Sequence, residues 1–255
     1  MCLLLLAIDA VPGRPWLLLG NRDEFHARPT AAAQEWSDAP GVFGGRDLQA
    51  GGSWLAVNRN GRYAAVTNVR QPGAPAAARS RGALIGEFVG GTRAPAAYAE
   101  TVGRERAEYG PFNLVVGDAA GACFVSSIDG AVRQLGTGIH AFSNGSLEDK
   151  WPKMRRLHEK FSASLQAGKM EDEPLLDLLY DDTRPEDKDL PETGIGIEFE
   201  RRLASIFVMP MAVHGDAYGT RASTLAYARA DGSFVLHERR FGADARASGE
   251  SRLEF

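Results

Sequence analysis

Cys2 is the residue of this chain with the sharpest chemistry. Removal of Met1, usual before a small side chain, would make Cys2 the N-terminus and set its thiol beside its own α-amine. An α-amine with a pKa of about 8 can act as base for a neighbouring nucleophile. One residue would then supply both nucleophile and base. The competing reading is a small apolar residue that opens a buried strand and packs inertly. Further on, Asn21-Arg22-Asp23-Glu24 follows an apolar run, 16–20, directly. A hairpin of 2–9 with 16–20, turning at Val11-Pro12-Gly13-Arg14-Pro15, brings that polar end back beside Cys2. Arg22 then lowers the thiol pKa and Asp23 orients the amine. The alternative there is a solvated strand end with an ion pair of little worth. Asn68 follows Ala64-Ala65-Val66-Thr67, and Asn144 follows Ala141-Phe142-Ser143. An amide NH2 at a strand end can donate to a developing oxyanion, although Asx turns use the same residue type. Arg221, in the stretch 219–224, suits a carboxylate or steadies the site, unless it is simply exposed on a strand.

Other chemistries find little footing. His26, His140, His158, His214 and His237 show no i, i+4 pair and none pairs with a nearby cysteine, so no zinc pattern and no metal are expected. No glycine-rich loop ends in Gly-Lys-Ser/Thr, and Gly-x-Ser-x-Gly is absent. No cofactor is implied. Cys2 and Cys123 are too few for a secreted disulfide scaffold and fit a reducing compartment. The apolar start lacks a preceding Lys or Arg and is ended by Asp9, unlike a signal peptide. It is also far short of the ~20 residues that span a bilayer. A cytoplasmic protein without a membrane span is the expectation.

The elements that must position these residues follow from pattern. The chain has 255 residues, 44% hydrophobic and 24% charged, which is ordinary globular usage. With 29 basic and 33 acidic residues the net charge is −4, so nucleic acid is not an expected partner. Strand-like runs at 53–57 and 62–67 flank Asn60-Gly61, the strongest hairpin signal in the chain. Segments 81–89 and 94–109 carry helical spacing, and short strands are expected at 112–116, 122–126, 131–135 and 141–143. Segment 151–165 is amphipathic, with Met154, Leu157, Phe161 and Leu165 on one side. A short helix at 174–180, a charged loop at 181–191 and a hairpin of 220–228 with 233–241 complete the reading; 26–40 reads as loop. The order of strands and helices predicts one α+β domain over 1–245. Its four layers, α-β-β-α, enclose two mostly antiparallel sheets, and a loose polar tail occupies 246–255.

Met1-Cys2, Gly20-Asn21-Arg22-Asp23-Glu24, Gly51-Gly52-Ser53-Trp54-Leu55, Thr67-Asn68, Ser143-Asn144 with Trp151-Pro152, and Gly219-Thr220-Arg221-Ala222-Ser223-Thr224 together resemble the NRDE family, also called the transport and Golgi organisation 2 family. The resemblance runs from Met1 to about Phe241. It implies the N-terminal nucleophile hydrolase fold, related to cysteine enzymes that cleave bile-salt amides and penicillin V. It implies Cys2 as nucleophile, Asn68 as oxyanion donor beside a backbone N–H, and Asn144 and Arg221 as the second asparagine and late arginine of those enzymes. Those enzymes space their arginine and aspartate three residues apart, whereas Arg22 and Asp23 are adjacent, which calls for a bulge or a strand end. The expected activity is an N-terminal cysteine hydrolase or acyltransferase acting on an amide or thioester of a small or lipid-like substrate. The alternatives are a non-catalytic carrier or chaperone for haem or acyl-CoA/lipid on the same fold, and an interaction module with a relict site. For relatives in that family, roles in haem mobilisation and trafficking, in lipid metabolism or acyl-CoA handling, or in secretory organisation have been proposed, and fold alone does not choose among them.

Overall fold

The computed structural model describes the backbone of residues 2–255 and the side chains of residues 3–255. The strands are β1 (Cys2–Val11), β2 (Arg14–Phe25), β3 (Thr30–Trp36), β4 (Ala39–Asp47), β5 (Leu55–Asn58), β6 (Tyr63–Asn68), β7 (Phe112–Asp118), β8 (Gly121–Ser126), β9 (Val132–Leu135), β10 (Gly138–Phe142), β11 (Met211–Val213), β12 (Asp216–Ala228), β13 (Phe234–Phe241) and β14 (Ala247–Glu254). The helices are α1 (Arg81–Val89), α2 (Pro95–Arg104), α3 (Pro152–Gln166), α4 (Asp172–Asp177) and α5 (Ile197–Leu203). The strands form two seven-stranded sheets, one ordered β10-β1-β2-β12-β13-β14 with β11 on β12, the other running β3 to β9 in sequence. Every strand pair is antiparallel.

Both faces of the first hairpin are apolar because both are covered. Leu4, Leu6, Trp16 and Leu18 pack between the sheets with Phe43, Tyr63 and Phe124. Leu3, Leu5, Leu17 and Leu19 alternate with them and meet Met154, Leu157 and Phe161 of α3 and Leu175 of α4. On the far side, Leu84, Ile85, Phe88 and Val89 of α1 and Tyr98, Ala99 and Val102 of α2 cover the second sheet. The layers are therefore α-β-β-α. Ser80 caps α1, its Oγ accepting from Gly82 N at 3.2 Å, and Pro152 starts α3 where a missing N–H costs nothing.

Three sequence expectations change. The loop expected over 26–40 is mostly β3 and the start of β4; small residues stand at its inward positions, and its register with β4 shifts twice, which blurs the alternation. The helix α5 and strand β11 had no signal long enough to read. The loose tail over 246–255 is instead mostly β14, which pairs with β13 from Phe241↔Ala247 to Val235↔Glu254. As an edge strand it is polar on both faces, and only Leu253 and Phe255 reach the core.

Candidate active site

The register of β1 on β2 sets Cys2 directly opposite Arg22. The Cys2 thiol and the Met1 position lie outside the described side chains, so the chemistry expected of the thiol and amine is anchored here by backbone placement alone. β12 lies on the other side of β2, with Thr220 opposite Asp23 and Ala222 opposite Arg22. Arg221 is the extra residue of a bulge at that point. The bulge expected from the adjacency of Arg22 and Asp23 thus sits in the neighbouring strand.

Alternation divides the polar tetrad. Asn21 continues the Leu17, Leu19 face. Its Nδ2 donates to Leu179 O (2.9 Å) and Ile206 O (2.8 Å), and its Oδ1 accepts from Ser223 Oγ (2.6 Å). Asn21 is a clamp between sheet and helical layer. Arg22 follows Leu18 toward the space between the sheets. It is 5% exposed and lies over the Trp54 ring, 4.4 Å from its centroid, with Nη1 donating to Thr30 Oγ1 at 3.4 Å. Asp23 is 2% exposed and accepts from Thr220 Oγ1 at 2.7 Å. Burial pushes its carboxyl up from the usual range, against the opposing pull of Lys153, Arg70 and the Thr220 hydroxyl.

Asn68 ends β6, and several bonds fix that end. Thr67 Oγ1 donates to Ser143 O (2.5 Å), and Asn113 Nδ2 donates to Ser143 O (3.1 Å) and Gly145 O (2.7 Å). Asn144 Nδ2 donates to Asn68 O at 2.8 Å, while its Oδ1 accepts from Ser143 Oγ (3.2 Å) and Lys153 Nζ (3.3 Å). One N–H of Asn144 is therefore committed to the Asn68 backbone. Arg221 Nη1 donates to Phe25 O (3.2 Å), Arg28 O (2.5 Å) and Thr30 Oγ1 (3.1 Å). It ties down the connection between β2 and β3 and shares the Thr30 hydroxyl with Arg22.

Two cavities meet at Asn68. An inner one of about 110 Å³ is lined by Arg22, Asp23, Ser53, Trp54 and Asn68 among others. An outer one of about 430 Å³ is lined by Asn68, Arg70, Arg79, Arg81 and Pro111 among others. Both also share Ser80 and Arg81 at the start of α1. Gly52 lets α1 come this close: a Cβ there would stand 2.4 Å from Gly82 C. Arg22, Asp23 and Asn68 are thus brought to one small chamber, while Asn144 and Arg221 hold its walls.

Sequence reasoning passed over Lys153, Arg70 and Glu200. Lys153 is 2% exposed in the first turn of α3. Arg70 pairs with Glu200 of α5, both side chains nearly buried, and Glu200 Oε1 also accepts from Thr193 N at 3.0 Å. Their charges read as surface in any pattern. The sequence reading stopped one residue short of Lys153, at Trp151-Pro152.

Comparison with known proteins agrees with this architecture. The family model described as Transport and Golgi organisation 2 matches residues 1–243. The Transport and Golgi organization protein 2 homolog of Bos taurus is 29% identical over 256 residues, covering 94% of this chain and 92% of its own. The Homo sapiens homolog is 29% identical over 258 residues with the same coverage. Among solved structures, a cysteine-to-alanine variant of conjugated bile acid hydrolase from Clostridium perfringens superposes with a TM-score of 0.59 at 9% identity, over 100% of this chain and 92% of that one. At that identity the likeness is one of fold, the N-terminal nucleophile hydrolase fold.

Proposed function

The chain belongs to the Transport and Golgi organisation 2 family, and we propose that it is an N-terminal cysteine amidohydrolase or acyltransferase acting on an amide or thioester of a small or lipid-like substrate. The observation that carries this reading is the pairing of Cys2 with Arg22 at the strand end where Asp23 and Asn68 line one chamber. After loss of Met1, the Cys2 amine takes the thiol proton and the thiolate attacks the carbonyl carbon. The C–N or C–S bond breaks, the leaving amine or thiol takes that proton, and the acyl group stays on sulfur. Water, or an acceptor nucleophile in the transferase case, then gives its proton to the amine and frees the acyl group. Asn68 donates to the oxyanion, with the second N–H of Asn144 beside it. Arg22 favours the thiolate and Asp23 orients the ammonium. Arg221 keeps the β2–β3 connection over the site. The reading needs a reduced thiol, which a reducing compartment such as the cytoplasm maintains.

A screen of amides and thioesters against untagged protein tests this. Turnover is expected to fall about a thousandfold or more in Cys2→Ala and to persist in Cys123→Ala. Activity that survives Cys2→Ala contradicts the reading.

A second reading, a carrier of haem or an acyl-CoA/lipid chain, is favoured by one observation. A cavity of about 600 Å³ opens between β10 and α3, lined by Ile139, Leu147 and Met154 with His140 and His158 nearby. Haem titration followed by absorbance tests it: a saturable equimolar shift, lost in His158→Ala, supports a carrier, and the lack of saturation rejects it.

A further inference from the structure

On the helix-covered side of the first sheet, away from the strand-end chamber, β13, β14 and α4 bring His237, Glu250 and Glu173 together. His237 is 3% exposed. Its Nε2 lies 3.4 Å from Glu250 Oε2 and 3.8 Å from Glu173 Oε1. The candidate donor atoms of the three residues lie within 4.8 Å of one another. We propose that these residues form a binding site for one divalent transition-metal ion, zinc in the first instance, with a water completing the coordination.

Spacing supports this. Tetrahedral zinc with bonds of about 2.0–2.2 Å keeps its ligand atoms roughly 3.3–3.6 Å apart; the 3.4 Å to Glu250 Oε2 falls within that range, and the 3.8 Å to Glu173 Oε1 lies just above it, on an exposed side chain free to close the difference. Arg239 orients the carboxylates without occupying the oxygens concerned. Its Nε donates to Glu250 Oε1 at 2.7 Å and its Nη2 to Glu173 Oε2. The opposite oxygen of each carboxylate is the one turned to His237.

The far ring nitrogen agrees. Nδ1 of His237 is buried with no hydrogen-bond partner among the described residues. It lies 3.9 Å from Asp172 Oδ2, which Arg252 Nε holds at 2.9 Å, while Tyr227 Oη donates to Asp172 Oδ1 at 2.9 Å. A metal on Nε2 places the proton on Nδ1, facing that carboxylate, the usual outer support of a metal-bound histidine. Charge points the same way. Asp172, Glu173, Asp177 and Glu250 share Arg239 and Arg252 as ion-pair partners. The two guanidiniums leave two of these four carboxylate charges over, the complement of a dication.

The ligands come from three elements far apart in sequence, so no spacing motif announces them. The site would pin the edge strand β14 and the helix α4 to β13, independently of the cysteine chemistry.

Equilibrium dialysis of the metal-stripped full chain against Zn2+, with metal analysis, tests the proposal beside Glu173→Gln, Glu250→Gln and the double variant. Both carboxylates are at least 40% exposed, at 59% and 43%, so the substitutions leave packing intact. The expected result is one zinc per chain with a raised unfolding midpoint, affinity at least tenfold weaker in each single variant, and both effects lost in the double variant. Absence of saturable uptake reduces the cluster to an ion-pair network and overturns the proposal. Uptake unchanged in the double variant places the metal elsewhere and overturns it equally.

Discussion

Asp23 and Glu238 are carboxylic acids held where burial works against their charge. Glu238 is 1% exposed between the sheets. Burial pushes its carboxyl up, against bonds from Ala33 N (2.9 Å) and Arg240 Nη1 (3.2 Å). For Asp23 the folded carboxyl likewise titrates above its unfolded value of 3.8. Its stabilising contribution is complete below that unfolded value and is lost as pH rises through the raised folded one. Asp23→Asn removes this loss and keeps an acceptor for the Thr220 hydroxyl. Compared with the parent chain by urea unfolding, the variant is expected to be no more stable near pH 4 and more stable by about 1 kcal/mol at pH 7. A difference that does not change with pH contradicts the assignment. Under the proposed chemistry the same variant loses turnover, so stability and activity move in opposite directions. At this scale the sequence was readable where a residue type is rare for its place. Arg22, Asp23 and Asn68 stood out because polar groups ended apolar runs, and Cys2 because it follows Met1. Lys153 and Glu238 did not, because a charged residue inside an amphipathic helix or strand looks solvated until the layer above it is known.

Elements carry the chamber through close backbone approach. The first turn of α1 rests on Gly52 and Ser53, with Ser53 N donating to Gly82 O at 3.2 Å. Gly52→Ala would drive its Cβ into Gly82. The expected cost is about 1–3 kcal/mol by chemical denaturation, with α1 displaced from the chamber and turnover reduced alongside. A variant as stable as the parent would show that α1 does not rest there. The hairpins were legible from Val11-Pro12-Gly13-Arg14-Pro15 and Asn60-Gly61, and α3 from its apolar stripe. The strand β3 was not, because Ala31 and Ala33 give too little apolar contrast and the shifts in its register break a period of two.

The molecule as a whole is closed by an edge the sequence concealed. Phe255 stacks on Phe43 with centroids 3.7 Å apart, so the C-terminal strand of the first sheet is latched to the second. Ending the chain after Arg246 removes β14 and this stack and bares the edge of β13. The unfolding midpoint is expected to fall by on the order of 10 °C, with a new tendency to aggregate. An unchanged midpoint would restore the loose-tail reading. Four layers could be inferred from element order, since two sheets and two helical groups have few ways to bury all their apolar faces. Which strand closed an edge could not, because edge strands are polar on both faces.

The central claim is that Cys2, freed of Met1, takes an acyl group at the strand end beside Arg22. Intact mass of the untagged chain after brief exposure to a thioester acyl donor, followed by peptide mapping, tests it most directly. The account predicts a mass short of one methionine and greater by one acyl group, with that group on the N-terminal peptide. A chain that keeps Met1, or loses it and takes no acyl group at Cys2, would contradict it.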